Sequence, residues 1–226
     1  NQLQKLSAPN ANRMSVSISK IPLDMQHAIV AIEDERFYEH NGIDIQGILR
    51  AFVNGVSHGF HFNEGASTLT QQLLKNNVFT NWTNEGKIER FKRKIQEQYL
   101  AIQLEKIMDK KIILKNYLNT INLGNNTLGV KAAALRYFDK DVSDLTLSEA
   151  TVIAGITQNP SRFNPLSENG RKRNEEKRRV ILQYMYEQGK ITKEEQEEAL
   201  ADDVYSRIKN VDIVTKETQT PYSYFT

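Results

Sequence analysis

Apolar residues recur every three or four positions through most of the chain, and the long alternating Val/Ile/Thr runs that mark a substantial sheet are missing. Pro22, followed by Leu23, Ala28, Ile29 and Ile32, predicts a helix that starts at the proline, ends near Glu35 and carries Glu33 at its C-terminal end. Residues 43–63 mix Ile48, Leu49, Phe52, Val53, Val56, Phe60 and Phe62 with few charges, an amphipathic pattern whose apolar side needs a partner. Ser67 or Thr68 caps a helix through Gln71, Gln72 and Lys75, and Leu69 and Leu73 are spaced to face a core. Ile88, Phe91, Ile95, Tyr99 and Ile102 predict a long helix over about Lys87 to Ile107, whose other face carries Arg90, Lys94 and Glu97.

Further helices are expected over Lys110 to Leu118, Leu128 to Phe138 and Leu147 to Thr157, the last opened by the Thr146 to Glu149 capping-box spacing. A charged helix then runs from about Arg171 to Gln188, and a short one is capped by Thr192 with Glu195. Beyond Ala201 the pattern fades towards a linker. Short strands near the ends remain compatible with the pattern, and there is no internal repeat.

A chain of 226 residues with 39% hydrophobic content can bury a sizeable core, and one compact domain with tails is the simplest organisation. The 30 Lys+Arg against 28 Asp+Glu leave a formal charge of +2, too small to announce a nucleic-acid binder. With no cysteine there are no disulfides and no thiolate metal sites. No apolar run approaches the length of a membrane span, and the polar start from Asn1 to Asn12 does not read as a signal sequence, so any anchor is expected outside the chain.

Three acids, Glu33, Asp34 and Glu35, follow the apolar run from Ile29 to Ile32, close enough for one of them to be partly desolvated and so to serve as a general base. On these residues alone a solvated helix end is the simpler explanation, although acids there oppose the helix dipole. Lys75 and the Arg90, Arg93, Lys94 cluster place cations on two helices, and the turn from Gly65 to Thr68 can present backbone N–H groups at a helix start. Singly, each is an ordinary exposed charge. Together they suit a reaction in which a diphosphate leaves a sugar while a carboxylate deprotonates the incoming hydroxyl, since a diphosphate needs positive charge rather than a proton in order to depart. Glu97, one turn from Arg93 and Lys94, is expected to stay ionised and to orient those cations or hold a metal.

The stretch Glu33-Asp34-Glu35-Arg36-Phe37-Tyr38-Glu39-His40-Asn41-Gly42 resembles the first signature motif of glycosyltransferase family 51, the peptidoglycan polymerases. Gly65 to Asn76 is similar to the second motif, Arg93-Lys94-Ile95-Gln96-Glu97 to the third, Ile113 to Gly124 with Gly129 to Phe138 to the fourth, and Glu149 to Pro165 to the fifth. The resemblance covers about Ile21 to Ala201, and five motifs in the family's order make it very specific.

The resemblance implies a mainly α, lysozyme-like fold with a large helical lobe and a smaller membrane-facing jaw at residues 43–63. It implies that Glu33 takes the proton from the acceptor's 4-hydroxyl, which attacks the anomeric carbon of lipid II, expels undecaprenyl diphosphate with inversion and extends a β-1,4 linked glycan strand. Ser67, Gln72, Lys75, Arg93 and Lys94 would bind the diphosphate or the neighbouring sugar. Glu97 would support the donor site, through Mg or Mn if a metal is used, while Asp34, Phe37 and His40 would be architectural. The implied partners are lipid II, the growing glycan strand, the bilayer interface and the cell-wall synthesis machinery, with no nucleic acid, at the extracytoplasmic face of a bacterial membrane. Residues 1–20 would follow a membrane anchor, 21–205 would form the glycosyltransferase domain, and 206–226 would begin a linker, Pro221 to Phe225 resembling the approach to a transpeptidase domain. The rivals are a muramidase or lytic transglycosylase acting on finished glycan, and a helical module binding nucleic acid or anionic lipid through the Arg90 to Lys94 face.

Overall fold

The computed structural model describes residues 12–50, 67–79 and 85–213. The greater part of the expected jaw, the start of the second motif at Gly65 and Ala66, and the expected linker from 214 onwards lie outside the described residues.

Among these, the fold is mainly helical, as its apolar spacing predicts. The helices are α1 (Leu23–Glu33), α2 (Leu69–Val78), α3 (Lys87–Ile107), α4 (Lys110–Thr120), α5 (Val130–Phe138), α6 (Leu147–Ile156), α7 (Glu168–Glu187) and α8 (Lys193–Ala201). Residues 45–50 are helical as well. Two short strands, β1 (Asn12–Arg13) and β2 (Thr127–Leu128), pair in parallel. No helix among the described residues is long and apolar enough to cross a membrane.

Local chemistry explains the boundaries. Pro22 precedes α1 and supplies its N-cap backbone, where a missing N–H costs nothing. Thr68, not Ser67, caps α2, its hydroxyl accepting from the Gln71 amide. The capping boxes at Thr146/Glu149 and Thr192/Glu195 both form. The α7 helix begins at Glu168, three residues before the expected Arg171, because Ser167 caps it by accepting from the Gly170 amide. Leu128, expected to open α5, lies in β2 instead, since Gly129 turns the chain with φ +83° and a side chain there would run into the Asn119 backbone.

The core is built around α6, which is buried on every side from Ser148 to Ile156 and packs against both α1 and α7. Its one acid, Glu149, is fully buried and accepts from Lys140 at 2.8 and 3.0 Å. Against this centre lie Met25, Ala28 and Ile29 of α1, Ile181, Leu182 and Met185 of α7, and Tyr137 and Phe138 of α5. The α2 helix is held between α3 and α4.

Two findings depart from the sequence pattern. The apolar stripe that signals α3 is not the face it buries: Phe91 is 69% exposed, Ile88, Ile95 and Tyr99 are exposed beside it, and the buried residues are Arg93, Glu97 and Ala101. The polar face turns inwards because Arg93 and Glu97 satisfy one another there. The chain beyond Ala201, where the apolar pattern fades, also stays packed. Val204 and Ile213 are buried, the Tyr205 hydroxyl donates to Asn174 at 2.7 Å, and the amides of Lys209 and Val211 donate to the Tyr137 and Arg136 carbonyls.

Candidate active site

Glu33 is the last residue of α1, placed by the buried Ala28, Ile29, Val30 and Ala31 just before it, and its half-buried carboxylate faces a cleft of about 580 Å³. Both oxygens are engaged. Gln72 Nε2 of α2 donates to Oε2 at 2.9 Å, and the Thr157 hydroxyl, at the C-terminal cap of α6, donates to Oε1. The Gln72 amide is oriented from behind by the fully buried Tyr117, whose hydroxyl donates to Gln72 Oε1 at 3.1 Å. Burial first, and the Glu33 and Asp34 charges second, push the Tyr117 phenol well above its usual range, so it stays a donor.

Asp34 is turned the other way and is buried. Its Oδ2 accepts the Leu69 amide at 2.8 Å, and His40 Nε2 lies 3.0 Å from Oδ1. His40 Nδ1 accepts from the Gly42 amide at 3.2 Å and from Lys110 at 3.3 Å, so Nε2 is the nitrogen that donates to Asp34. Phe37 is buried beneath the same turn with the Lys110 ammonium 4.5 Å from its ring centre. Gly42 closes the turn at φ +88°, against the Ala101 backbone of α3 where a Cβ would sit 2.6 Å from a carbonyl. Its own carbonyl accepts from Thr68 at 2.8 Å and from Gln71 at 3.3 Å. The acidic run is thereby tied to the start of α2 and to α3.

At the start of α2 the Leu69 amide goes to Asp34 and the Gln71 amide to Thr68, so an internal carboxylate already sits at the helix's positive end.

The cations gather in a second cavity that shares Ser67 and Gln72 with the first and is otherwise lined by Gln71, Lys75, Lys87, Arg90, Phe91, Arg93, Lys94 and Glu97. Arg93 and Lys94 both bond to Glu97, Lys94 from 3.2 Å, and Arg93 Nε reaches Glu85 Oε2 at 2.6 Å. The Lys94 ammonium also donates to Ser67 Oγ at 2.5 Å and to Gln71 Oε1 at 3.2 Å, pinning α3 to the start of α2. Half-buried Lys75 is lowered from the ordinary lysine range, by desolvation first and by Arg93 and Lys94 in addition, against the opposing pull of Glu97 and Glu33. The cavity therefore concentrates positive charge beyond what its own acids neutralise, and an anion would relieve it.

All seven residues singled out from the sequence, Glu33, Ser67, Gln72, Lys75, Arg93, Lys94 and Glu97, line one or both cavities. Glu97 is 1% exposed, with Arg93 on one oxygen and Lys94 on the other. The sequence reading missed Thr157, Tyr117 and Lys177. Lys177 lies in the Glu33 cleft on α7, with its amine lowered by burial and opposed by the Glu33 charge. Nothing in local periodicity marks Thr157 as a neighbour of Glu33, 124 positions away; only the packing of α6 on α1 does. The other acids at the cleft are engaged: Glu35 with Arg50 at 3.1 Å, Asp44 with Arg36, and Glu187 with Gln183 at 2.7 Å.

A family model described as Transglycosylase matches residues 1–186. Penicillin-binding protein 1A of Clostridium acetobutylicum is 49% identical over 163 residues, covering 71% of this chain and 20% of that protein. Penicillin-binding protein 1A of Clostridium perfringens strain 13 is 41% identical over 220 residues, covering 95% of this chain and 31% of that protein. The crystal structure of penicillin-binding protein 1A from Haemophilus influenzae superposes with a TM-score of 0.50 at 26% identity, covering 85% of this chain and 18% of that one. The chain thus spans a third or less of the length of these relatives.

Proposed function

Because the chain belongs to the transglycosylase family, we propose that it is a peptidoglycan glycosyltransferase domain that polymerises lipid II into β-1,4 linked glycan with release of undecaprenyl diphosphate. The observation that carries this reading is the pairing of one oriented carboxylate with a separate cation-lined cavity across the shared Ser67 and Gln72. Glu33 removes the proton from the acceptor's 4-hydroxyl as the oxygen attacks the anomeric carbon from the face opposite the diphosphate, which inverts the configuration. Lys75, Arg93 and Lys94 receive the charge that grows on the departing diphosphate, with Ser67 beside them and Gln72 orienting the base. Glu97 holds Arg93 and Lys94 in place.

Magnesium or manganese on Glu97 meets a poor donor set. Both carboxylate oxygens are taken by cations, and no group of three or more His, Asp or Glu among the described residues could hold an ion.

A muramidase or lytic transglycosylase would also use a cleft glutamate, but it has no need of a cation-rich cavity next door, and the remaining cleft acids are paired rather than poised as proton donors. The bilayer interface is the partner proposed for residues 43–63. Ile45 and Leu49, in the described part of that stretch, are exposed, and the outward stripe of α3 adds Ile88, Phe91, Ile95 and Tyr99, with Phe91 at the edge of the cation cavity. The whole parent would then work at the extracytoplasmic face of the bacterial membrane within the cell-wall synthesis machinery, with residues 1–20 following an anchor and the end of the chain leading towards a further domain.

Incubation with lipid II and, separately, with purified peptidoglycan tests the reading. Polymer formed from lipid II is expected. Cleavage of finished glycan without polymerisation would establish the hydrolytic alternative instead.

A further inference from the structure

Thr157 has one hydroxyl proton and two acceptors. Its oxygen bonds to Glu33 Oε1 and lies 2.9 Å from the Ala154 carbonyl. A hydroxyl donates once, so one of these bonds forms at a time. The Ala154 carbonyl is not left bare when the hydroxyl turns away, because the Thr157 amide also donates to it at 3.3 Å. The other Glu33 oxygen receives Gln72 Nε2, an amide nitrogen that can only donate and whose orientation is fixed by Tyr117. The two partners of Glu33 therefore differ in kind: Gln72 always donates, whereas Thr157 can donate or accept.

We infer that Thr157 is a positioning residue for Glu33, a hydroxyl rotor that follows the charge of the carboxyl group. The inference rests on the glycosyl-transfer reading above. While Glu33 is ionised, the hydroxyl donates to Oε1, favouring the carboxylate and holding it towards the cleft. During transfer the acceptor O–H bond breaks and its proton passes to Glu33. The acceptor oxygen bonds to the anomeric carbon as the bond from that carbon to the phosphate oxygen breaks, its electron pair leaving with the diphosphate. Glu33 is then neutral, and Thr157 turns its proton to the Ala154 carbonyl and a lone pair to the new acid. A hydrogen bond is kept in both charge states, and no buried polar atom is stranded in either. The ionisable groups that line the Glu33 cleft are Asp34, Glu35, Asp44, Arg50, Lys177, Tyr184 and Glu187, and Lys75 from α2 and Tyr117 from α4 also feel its charge. Thr157 meets Glu33 as a neutral aliphatic hydroxyl.

Thr157→Val keeps the shape and removes the hydroxyl, and Thr157→Ser keeps the hydroxyl. Both are made in the full chain. Turnover of lipid II across pH is one readout; a carbon-13 carboxyl NMR titration of Glu33, assigned by its loss in Glu33→Gln, is a second that needs no turnover. In Thr157→Val, kcat is expected to fall about tenfold, equivalent to about 1.4 kcal/mol. KM stays within about twofold, as for a group that acts on the chemical step rather than on binding. The acid limb of kcat/KM and the Glu33 midpoint both move to higher pH, while Thr157→Ser stays at wild-type values. A residue that only finishes α6 would lower thermal stability and leave both midpoints in place. That result in a folded variant, or Thr157→Ser behaving as Val, overturns the inference. A wild-type chain that makes no polymer while Thr157→Val still moves the Glu33 midpoint removes the transferase reading and supports the hold of Thr157 on Glu33. An active wild type with unmoved midpoints removes the Thr157 role alone.

Discussion

Glu97→Gln changes one atom of the carboxylate at which Arg93 and Lys94 converge, and the structure sets the size of the effect. Removing one partner of a buried ion pair costs about 3–5 kcal/mol because the other charge is left uncompensated. The side chains of Arg93 and Glu97 are 9% and 1% exposed, so this pair belongs in that class. Two features reduce the loss. Arg93 keeps Glu85, 2.6 Å from its Nε, and Lys94, at 38% exposure, is solvated well enough that its arm contributes about 1 kcal/mol or less. Glutamine also retains one acceptor oxygen. A destabilisation of about 2–3 kcal/mol remains, which for a chain of this length lowers Tm by roughly 4 to 12 °C. Calorimetry at neutral pH and low salt measures it. Adding Glu85→Gln leaves Arg93 without either carboxylate, so the double variant should lose more than the sum of the singles. A loss below about 2 °C for Glu97→Gln, or strict additivity in the double variant, would refute the claim that Glu97 organises these cations.

Lys75 supplies a test by linkage. Its amine is lowered in the free protein, chiefly by burial, and an anion in the cavity should raise it, so pyrophosphate binding at alkaline pH is expected to take up a proton. Calorimetric titration in buffers of different ionisation enthalpy reads the uptake, which should vanish in Lys75→Met; proton release would contradict the placement. At the far end of the fold, the Arg207 fork holds Asp202 down at about 2, with both N–O distances at 2.7 Å. A depressed carboxylate stabilises above its unfolded value and loses that contribution as pH falls through the folded one. Asp202→Asn, which leaves Arg207 its contact with the buried Glu149, should therefore cost about 1 kcal/mol or less near neutrality, since the pair is part-exposed, and the acid-unfolding curves of variant and wild type should converge between about pH 4 and 2. Parallel curves down to the lowest pH would exclude this linkage.

The legible part of the molecule is the part written in local patterns. The caps at Thr68, Thr146 and Thr192 and the extent of α3 follow from short-range hydrogen bonding and helical period, which is why the sequence predicts them. The facing of α3 does not follow. Its apolar stripe is a good helix signal, but which side turns inwards is decided by whether Arg93 and Glu97 can satisfy one another against α2, a tertiary fact. The fate of the α2 amides is hidden for the same reason, because Asp34 reaches Leu69 across 35 positions. The candidate site residues are singled out by the chemistry of a diphosphate leaving group together with the family resemblance. Thr157 and Tyr117 stay invisible in the sequence because Thr157 meets Glu33 across 124 positions and Tyr117 reaches it only through Gln72, 45 positions away. The packed course of residues 202–213 was missed because it rests on separated anchors, Val204, Tyr205 and Ile213, rather than on a period.

The central claim is that Glu33 is the base of a glycosyl transfer whose leaving group is held by the neighbouring cations. Its most direct measurement is the turnover of lipid II by Glu33→Gln beside the wild type, with substrate binding measured on the same preparations. Glutamine keeps the shape and can still pair with Gln72 and Thr157, but it cannot take a proton. Polymerisation is expected to fall by about 10²- to 10⁴-fold with affinity for lipid II retained within a few fold. Turnover at the wild-type rate in the folded variant would contradict the account.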